Sequence, residues 1–306
     1  MKRQLPRIFS LLIFAGIISA QTSHAGLTSW YTPDIVALAG GGGLGAASGE
    51  IDRTNPALLG DVNHRHVGAS MLNYPASIRA EMISAVLPRS YGTWMMSLRR
   101  LDYGEFIGMD EEGNSTENYF AGDTWVTIGI GKKLQKNRSM FGLTTGLFIS
   151  QLEEYQSMVF TVTPGMVILI KSLKMNLGLS VRNFGIIMTH YTDIKSPLPT
   201  EVVGSLSKTL EHLPFEFNIE AGMIVEDKTA WGTIGGVFQL PYHLQLRWGV
   251  SSDKVSQITH VNLIKDYLAG SGAGLFFSTR KFEVGVSGYV YGTGGWISGV
   301  GVKMLF

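Results

Sequence analysis

Along most of its length the chain alternates apolar residues with small or polar ones at a period of two, and this restricts the possible folds more than any other feature. Val126, Ile128 and Ile130 alternate with Thr127 and Gly129; Met175, Leu177, Leu179 and Val181 alternate with Asn176, Gly178, Ser180 and Arg182. The same rhythm returns over 217–225, 244–251 and 282–287. Successive side chains of a β-strand point to opposite faces, so each segment has one apolar and one polar face. The polar faces are rich in Gly and Ser, which suits the inside of a narrow barrel better than a packed sandwich core.

Alternation alone fits a soluble β-protein with its apolar face inward or an outer-membrane barrel with that face toward lipid. Three features favour the second. Many segments reach the roughly 9–11 residues that a tilted strand needs to cross a bilayer. The C-terminus carries Val300, Val302, Met304 and Phe306 on one face, a pattern similar to the signal read by the outer-membrane barrel-assembly machinery. The N-terminus reads as a secretory leader: Lys2, Arg3 and Arg7, then an apolar stretch over 8–19, then two small-residue cleavage sites, Ser19-Ala20 and Ser23-His24-Ala25. Residues 1–25 are therefore expected to be a signal peptide. No later apolar run is long enough for a spanning helix, so a membrane location implies a barrel.

Composition agrees. Charged residues are 16% against about 25% in ordinary domains, and 45% hydrophobic residues exclude disorder. The chain has no cysteine, which excludes disulfides, Cys-ligated zinc, iron–sulfur clusters and a Cys nucleophile. A formal charge of +1 with no basic run argues against nucleic acid as a partner.

The expected fold is all-β: a transmembrane outer-membrane β-barrel of about fourteen antiparallel strands, occupying 63–306, with a short plug-like segment before it. Strands are expected at 65–73, 77–88, 91–102, 121–134, 138–151, 155–170, 173–184, 201–211, 214–226, 229–240, 242–252, 269–280, 282–291 and 295–306. This places short turns on the periplasmic side and the longer segments 102–122, 185–200 and 252–268 outside, the asymmetry usual for such barrels. Residues 257–268 could form a further strand and are read as loop, since an odd count would result. Residues 26–62, with glycines at 40–43 and 45 and then Asn55-Pro56-Ala57-Leu58, read as a compact periplasmic or lumenal plug.

Leu38-Ala39-Gly40 through Ala46, followed by Asp52-Arg53-Thr54-Asn55-Pro56-Ala57-Leu58, resembles the N-terminal signature of the FadL-like barrel superfamily. Three further segments resemble its PorV/PorQ branch, closest to the PorQ members. They are 102–123, with Asp102-Tyr103-Gly104 and Tyr119-Phe120-Ala121-Gly122-Asp123; Leu177 to Gly185, ending Arg182-Asn183-Phe184-Gly185; and 198–214, ending Glu211-His212-Leu213-Pro214. The resemblance implies a non-enzymatic outer-membrane component of type IX protein secretion or surface attachment of cargo. Its partners would be outer-membrane lipid, other type IX subunits and secreted cargo. The alternative it carries is a FadL-like transporter of long-chain fatty acids or other hydrophobic compounds. That role needs an opening in the wall and an apolar lumen pocket, and the polar inner faces argue against such a pocket.

Other constellations have plainer readings. Gly40, Gly42 and Gly45 match a dinucleotide fingerprint in spacing, but no βαβ unit surrounds them, so no cofactor is expected. Asp110, Glu112 and Asn114 lack the spacing and terminal Glu of a calcium loop. His64 and His66 share a strand face without a further ligand, and His190, His212, His243 and His260 are scattered. No metal site and no catalytic residue is assigned. Trp94, Trp125, Trp231, Trp248, Tyr91 and Tyr242 are expected at the membrane interface. Arg79, Glu81, Arg182, Glu220 and Arg247 are expected to face the lumen.

Overall fold

A computed structural model describes residues 24–42, 44, 54–109, 114–134, 138–191, 196–261 and 263–306. Most of the expected signal peptide therefore lies outside the described residues, as do Gly43, Gly45 and Asp110 to Gly113. Fifteen strands follow one another. They are β1 His66–Asn73, β2 Arg79–Arg89, β3 Gly92–Phe106, β4 Tyr119–Lys133, β5 Ser139–Leu152, β6 Tyr155–Ile170, β7 Met175–Arg182, β8 Phe184–Thr189, β9 Glu201–Thr209, β10 Phe215–Ile224, β11 Thr229–Gln239, β12 Leu244–Ser251, β13 Ser271–Ser278, β14 Phe282–Val290 and β15 Trp296–Leu305.

Each strand runs antiparallel to its neighbours, and β1 pairs with β15, Ser70 opposite Gly301, so the sheet closes on itself. Closure removes the edges that an open sheet would present to lipid. β7 and β8 occupy one position. Both pair with β6, β7 along Gly165–Ile170 and β8 along Met158–Val162. The result is a closed barrel of fourteen strand positions, one of them split in two.

The alternation sorts as the sequence predicts. Val126, Ile128, Leu143, Leu179, Ile219, Ile234, Val286, Val300 and Val302 all point outward and are exposed, forming an apolar belt. Such a belt is stable only against hydrocarbon, and the fold is that of a bacterial outer-membrane barrel. Links at one end are short, as at 90–91, 171–174 and 279–281. At the other end lie 107–118, 190–200 and 252–270. By this asymmetry the first end is periplasmic and the second faces outward.

Several expectations need correction. Part of the expected outer segment 185–200 is strand, because β8 continues the β6 ladder. The expected loop 257–268 carries the short helix α3 (Leu263–Leu268), and α2 (Lys254–Gln257) ends where it begins. Arg79 and Glu81 lie on the outside near the outer rim, across from Asp102 and Arg100 of β3, where cross-strand partners of opposite charge make an outward position tolerable. Trp125 and Trp231 point inward, where the Arg99 guanidinium lies 4.6 Å and that of Arg182 5.8 Å from their rings. Trp94, Trp248, Tyr91 and Tyr242 do lie outward or at a strand end.

The described residues between 24 and 62 lie inside the barrel. His24 lies near the outer end, its Nε2 2.9 Å from Ser157 Oγ at the start of β6. The chain descends through helix α1 (Pro33–Ala37) and reaches the inner end at Asp61, which pairs with Lys133. The inward glycines make this possible. A Cβ at Gly142 would overlap the Pro56 carbonyl, one at Gly249 the backbone of Leu38, and one at Gly272 the Val36 carbonyl.

Candidate functional site

The lumen is built from two kinds of contact between plug and wall. Polar clusters fix the plug, and apolar clusters line the space it leaves. Asn55 caps its own turn by accepting from Ala57 N at 3.0 Å, while its Nδ2 donates to Met166 O at 3.0 Å and Leu179 O at 2.9 Å. One side chain thereby ties the plug to β6 and β7. Arg182 pairs with Glu220 at 2.7 Å and Glu201 at 3.6 Å, and Glu220 also accepts from Gly42 N at 3.2 Å. Arg247, fully buried, pairs with Asp34 of α1 and lies 3.6 Å from Glu283. Arg182, Glu220 and Arg247 thus face the lumen as the sequence predicts, and they form two separate plug-holding clusters.

The apolar clusters have no counterpart in the sequence reading. Leu27 packs with Trp125, Phe148, Val159 and Leu198, and Ile187 of β8 covers the group. Tyr31 and Val36 pack with Leu72, Met82, Leu101 and Tyr289. The polar inner faces were expected to leave no greasy pocket. Instead, inward apolar residues of the wall meet apolar residues of the plug. Only Met and aromatic residues on otherwise polar faces, such as Trp125 and Phe148, hint at this in the sequence.

Described residues at the outer end line two large cavities. One, of about 800 Å³, is lined by Tyr103, Phe106, Leu152, Tyr155 and Tyr191, with polar groups from Ser150 and Ser157. The other, of about 680 Å³, lies among Trp30, Tyr74, Trp231 and Tyr291. Ala25 and Tyr103 line both. Volumes of this size suit a small organic ligand, and aromatic walls with a few polar groups suit an apolar one. At the edge of the first cavity, burial pulls the His24 imidazole below its ordinary range and nearby His190 adds to this.

The wall is broken beside this cavity. β7 pairs with β9 up to Arg182 opposite Glu201. Asn183 then turns left-handed at φ 56, a conformation Asn tolerates better than most residues. Beyond it, among the described residues, β8 pairs with β6 alone. Asn183 Nδ2 donates to Leu27 O at 3.1 Å and to Pro199 O at 3.3 Å, holding the break against the plug. Over residues 184–189 the barrel thus loses its ladder on one side. Phe184, Ile186 and Met188 face lipid there, and Ile187 faces the lumen cluster.

The remaining sequence candidates do not assemble into a site. His64 is exposed at the inner mouth, and His66 Nδ1 lies 3.4 Å from its carbonyl. Among the described residues no group of three or more His, Asp or Glu could hold a metal ion.

The closed barrel, apolar belt and internal segment define a plugged outer-membrane β-barrel. Solved structures with this fold include the Pseudomonas putida toluene transporter TodX, with a TM-score of 0.57 at 10% identity, covering 91% of this chain and 99% of that one. The Ralstonia pickettii toluene transporter TbuX gives 0.55 at 9% identity, with 91% and 98% covered. The CymD monoaromatic hydrocarbon channel gives 0.56 at 9% identity, with 90% and 98% covered. No protein-family model matches the sequence, and no curated protein does.

Proposed function

We propose that the protein is an outer-membrane channel for small hydrophobic compounds, the transport alternative carried by the FadL-like resemblance. The observation that supports this reading best is the aromatic cavity of about 800 Å³ lying beside the wall break at Asn183. An apolar solute entering from outside would rest among Tyr103, Tyr155 and Tyr191. It would then leave sideways past β8 into the bilayer, without crossing the charged clusters that hold the plug. The toluene transporters TodX and TbuX and the monoaromatic hydrocarbon channel CymD share this fold, which supports the same chemistry. Assistance to type IX secretion or surface attachment is a second proposal, and it rests on the ordered PorV/PorQ-like segments alone.

A deletion strain tests both. Uptake of a radiolabelled monoaromatic hydrocarbon and of a long-chain fatty acid should fall and return on complementation. Unchanged uptake of both, with cargo bearing C-terminal signal domains lost from the surface, would overturn transport in favour of secretion.

A further inference from the structure

Gly26 N donates to Asp123 Oδ2 at 3.0 Å. Asp123 is 1% exposed, and it also accepts from the Tyr103 hydroxyl at 2.8 Å and from the Ser150 hydroxyl. All three donors are neutral in the unprocessed chain. Among the described residues no cationic side chain pairs with this carboxylate. A buried carboxylate without a counter-ion is costly. The sequence can supply one, because Ser23-His24-Ala25 is the second small-residue cleavage site.

We propose that the mature chain begins at Gly26 and that its terminal ammonium is the counter-ion of Asp123. A signal peptidase would add water across the Ala25–Gly26 amide. The water oxygen goes to the Ala25 carbonyl carbon, which leaves with the leader as a carboxylate, and the freed nitrogen takes up protons as the Gly26 ammonium. The position admits only glycine: a Cβ there would overlap Asp123 Oδ2 and lie 2.9 Å from the Phe148 ring. The Tyr31 hydroxyl donates to Gly26 O at 2.9 Å and fixes the residue from its other side. Cleavage also removes His24 and Ala25 from the lumen. Ala25 lies between the two outer cavities, so its loss merges them around the new N-terminus. The inference holds whatever compound the barrel carries.

The first test is N-terminal sequencing and intact mass of the chain purified from the outer membrane. A start at Gly26 is expected, and a start at Gln21 overturns the proposal. The second test is amine labelling of the folded mature protein. Each unit by which pairing raises the ammonium pKa above its ordinary value of about 7.7–8.0 slows labelling about tenfold. Rapid labelling of the folded wild-type amine, at the denatured rate, overturns the pairing. Asp123→Asn should restore fast labelling. It should also abolish a loss of stability that the wild type shows as pH rises through the raised amine value, an alkaline response that a purely packing role for Asp123 does not produce. If Asp123→Asn fails to assemble, the wild-type sequence and labelling rate still decide.

Discussion

The Asp34 carboxylate, carried into the lumen on α1, accepts a hydrogen bond from Nη1 of Arg247 on β12. Lys303 Nζ of β15 lies 3.8 Å from the same carboxylate and 3.2 Å from Glu283 of β14. The Arg247 guanidinium also lies 3.8 Å from the Phe276 ring centroid and donates to Gln245 at 2.9 Å. Two cations and two anions thus lock one plug helix to three strands, with Arg247 fully buried at the centre.

Removing one member of a buried ion pair leaves the other uncompensated, at about 3–5 kcal/mol. Arg247→Ala is expected to lie toward the lower end of that range, because Lys303 still faces both carboxylates. The measurement is urea unfolding of the detergent-solubilised barrel, followed by the gel shift between folded and heated forms. A variant as stable as the wild type would show that the plug helix does not depend on this lock.

The lock also has a defined pH response. Burial alone would raise the Asp34 carboxyl, but Lys303 and Arg247 beside it overcome that and hold it below the ordinary carboxylate range. A group depressed on folding contributes fully above its unfolded value of about 3.9, and the contribution disappears as pH falls through the lower folded value. Stability should therefore be insensitive to Asp34 between pH 7 and pH 5 and decline only in stronger acid. Asp34→Asn should be weaker at neutral pH and lack that part of the acid decline. Urea midpoints measured across this range check it.

The plug's fit against the wall is testable at single glycines. At Gly142 a methyl group would meet the Pro56 carbonyl and Ala57 backbone, whereas at the outward Gly204 nothing lies within 4 Å. Gly142→Ala should cost about 1–3 kcal/mol by overpacking. Gly204→Ala should be neutral or slightly stabilising. Equal stability of the two would mean that the plug does not press on β5 as described.

The outer surface of this barrel was readable in the sequence because lipid asks one simple thing of it. Val300, Val302 and Met304 need only be apolar at every second place. The lumen was harder to read because the plug supplies a second apolar environment. In β2, Ala80, Met82 and Val86 point inward while Ile83 and Leu87 point outward. Both faces then look alike, so the pattern does not show that Arg79 and Glu81 lie on the outer one. The break in the wall gave a fainter trace. Asn183 stands before Phe184-Gly185 at the end of an unbroken alternation, and nothing local says that β8 loses its partner there. That loss follows from where Glu201 starts pairing, which is a long-range fact. The Asp34–Arg247 lock is of the same kind: each residue is visible as a lone charge, and their meeting depends on the path of the plug.

The transport route through the outer cavity can be blocked without disturbing the belt. Ala121 of β4 points inward, lines the cavity of about 800 Å³, and sits opposite Leu152 in the β5 register. Ala121→Trp places an indole in open space beside Tyr103 and Phe106, so the barrel should keep its heat-dependent gel shift. Uptake of a monoaromatic hydrocarbon should fall about tenfold or more, equivalent to ~1.4 kcal/mol of lost site occupancy. Wild-type uptake in a folded Ala121→Trp barrel would move the route out of this cavity. The vestibule among Trp30, Tyr74 and Trp231, an aromatic-lined space of comparable volume, would then be the next place to block.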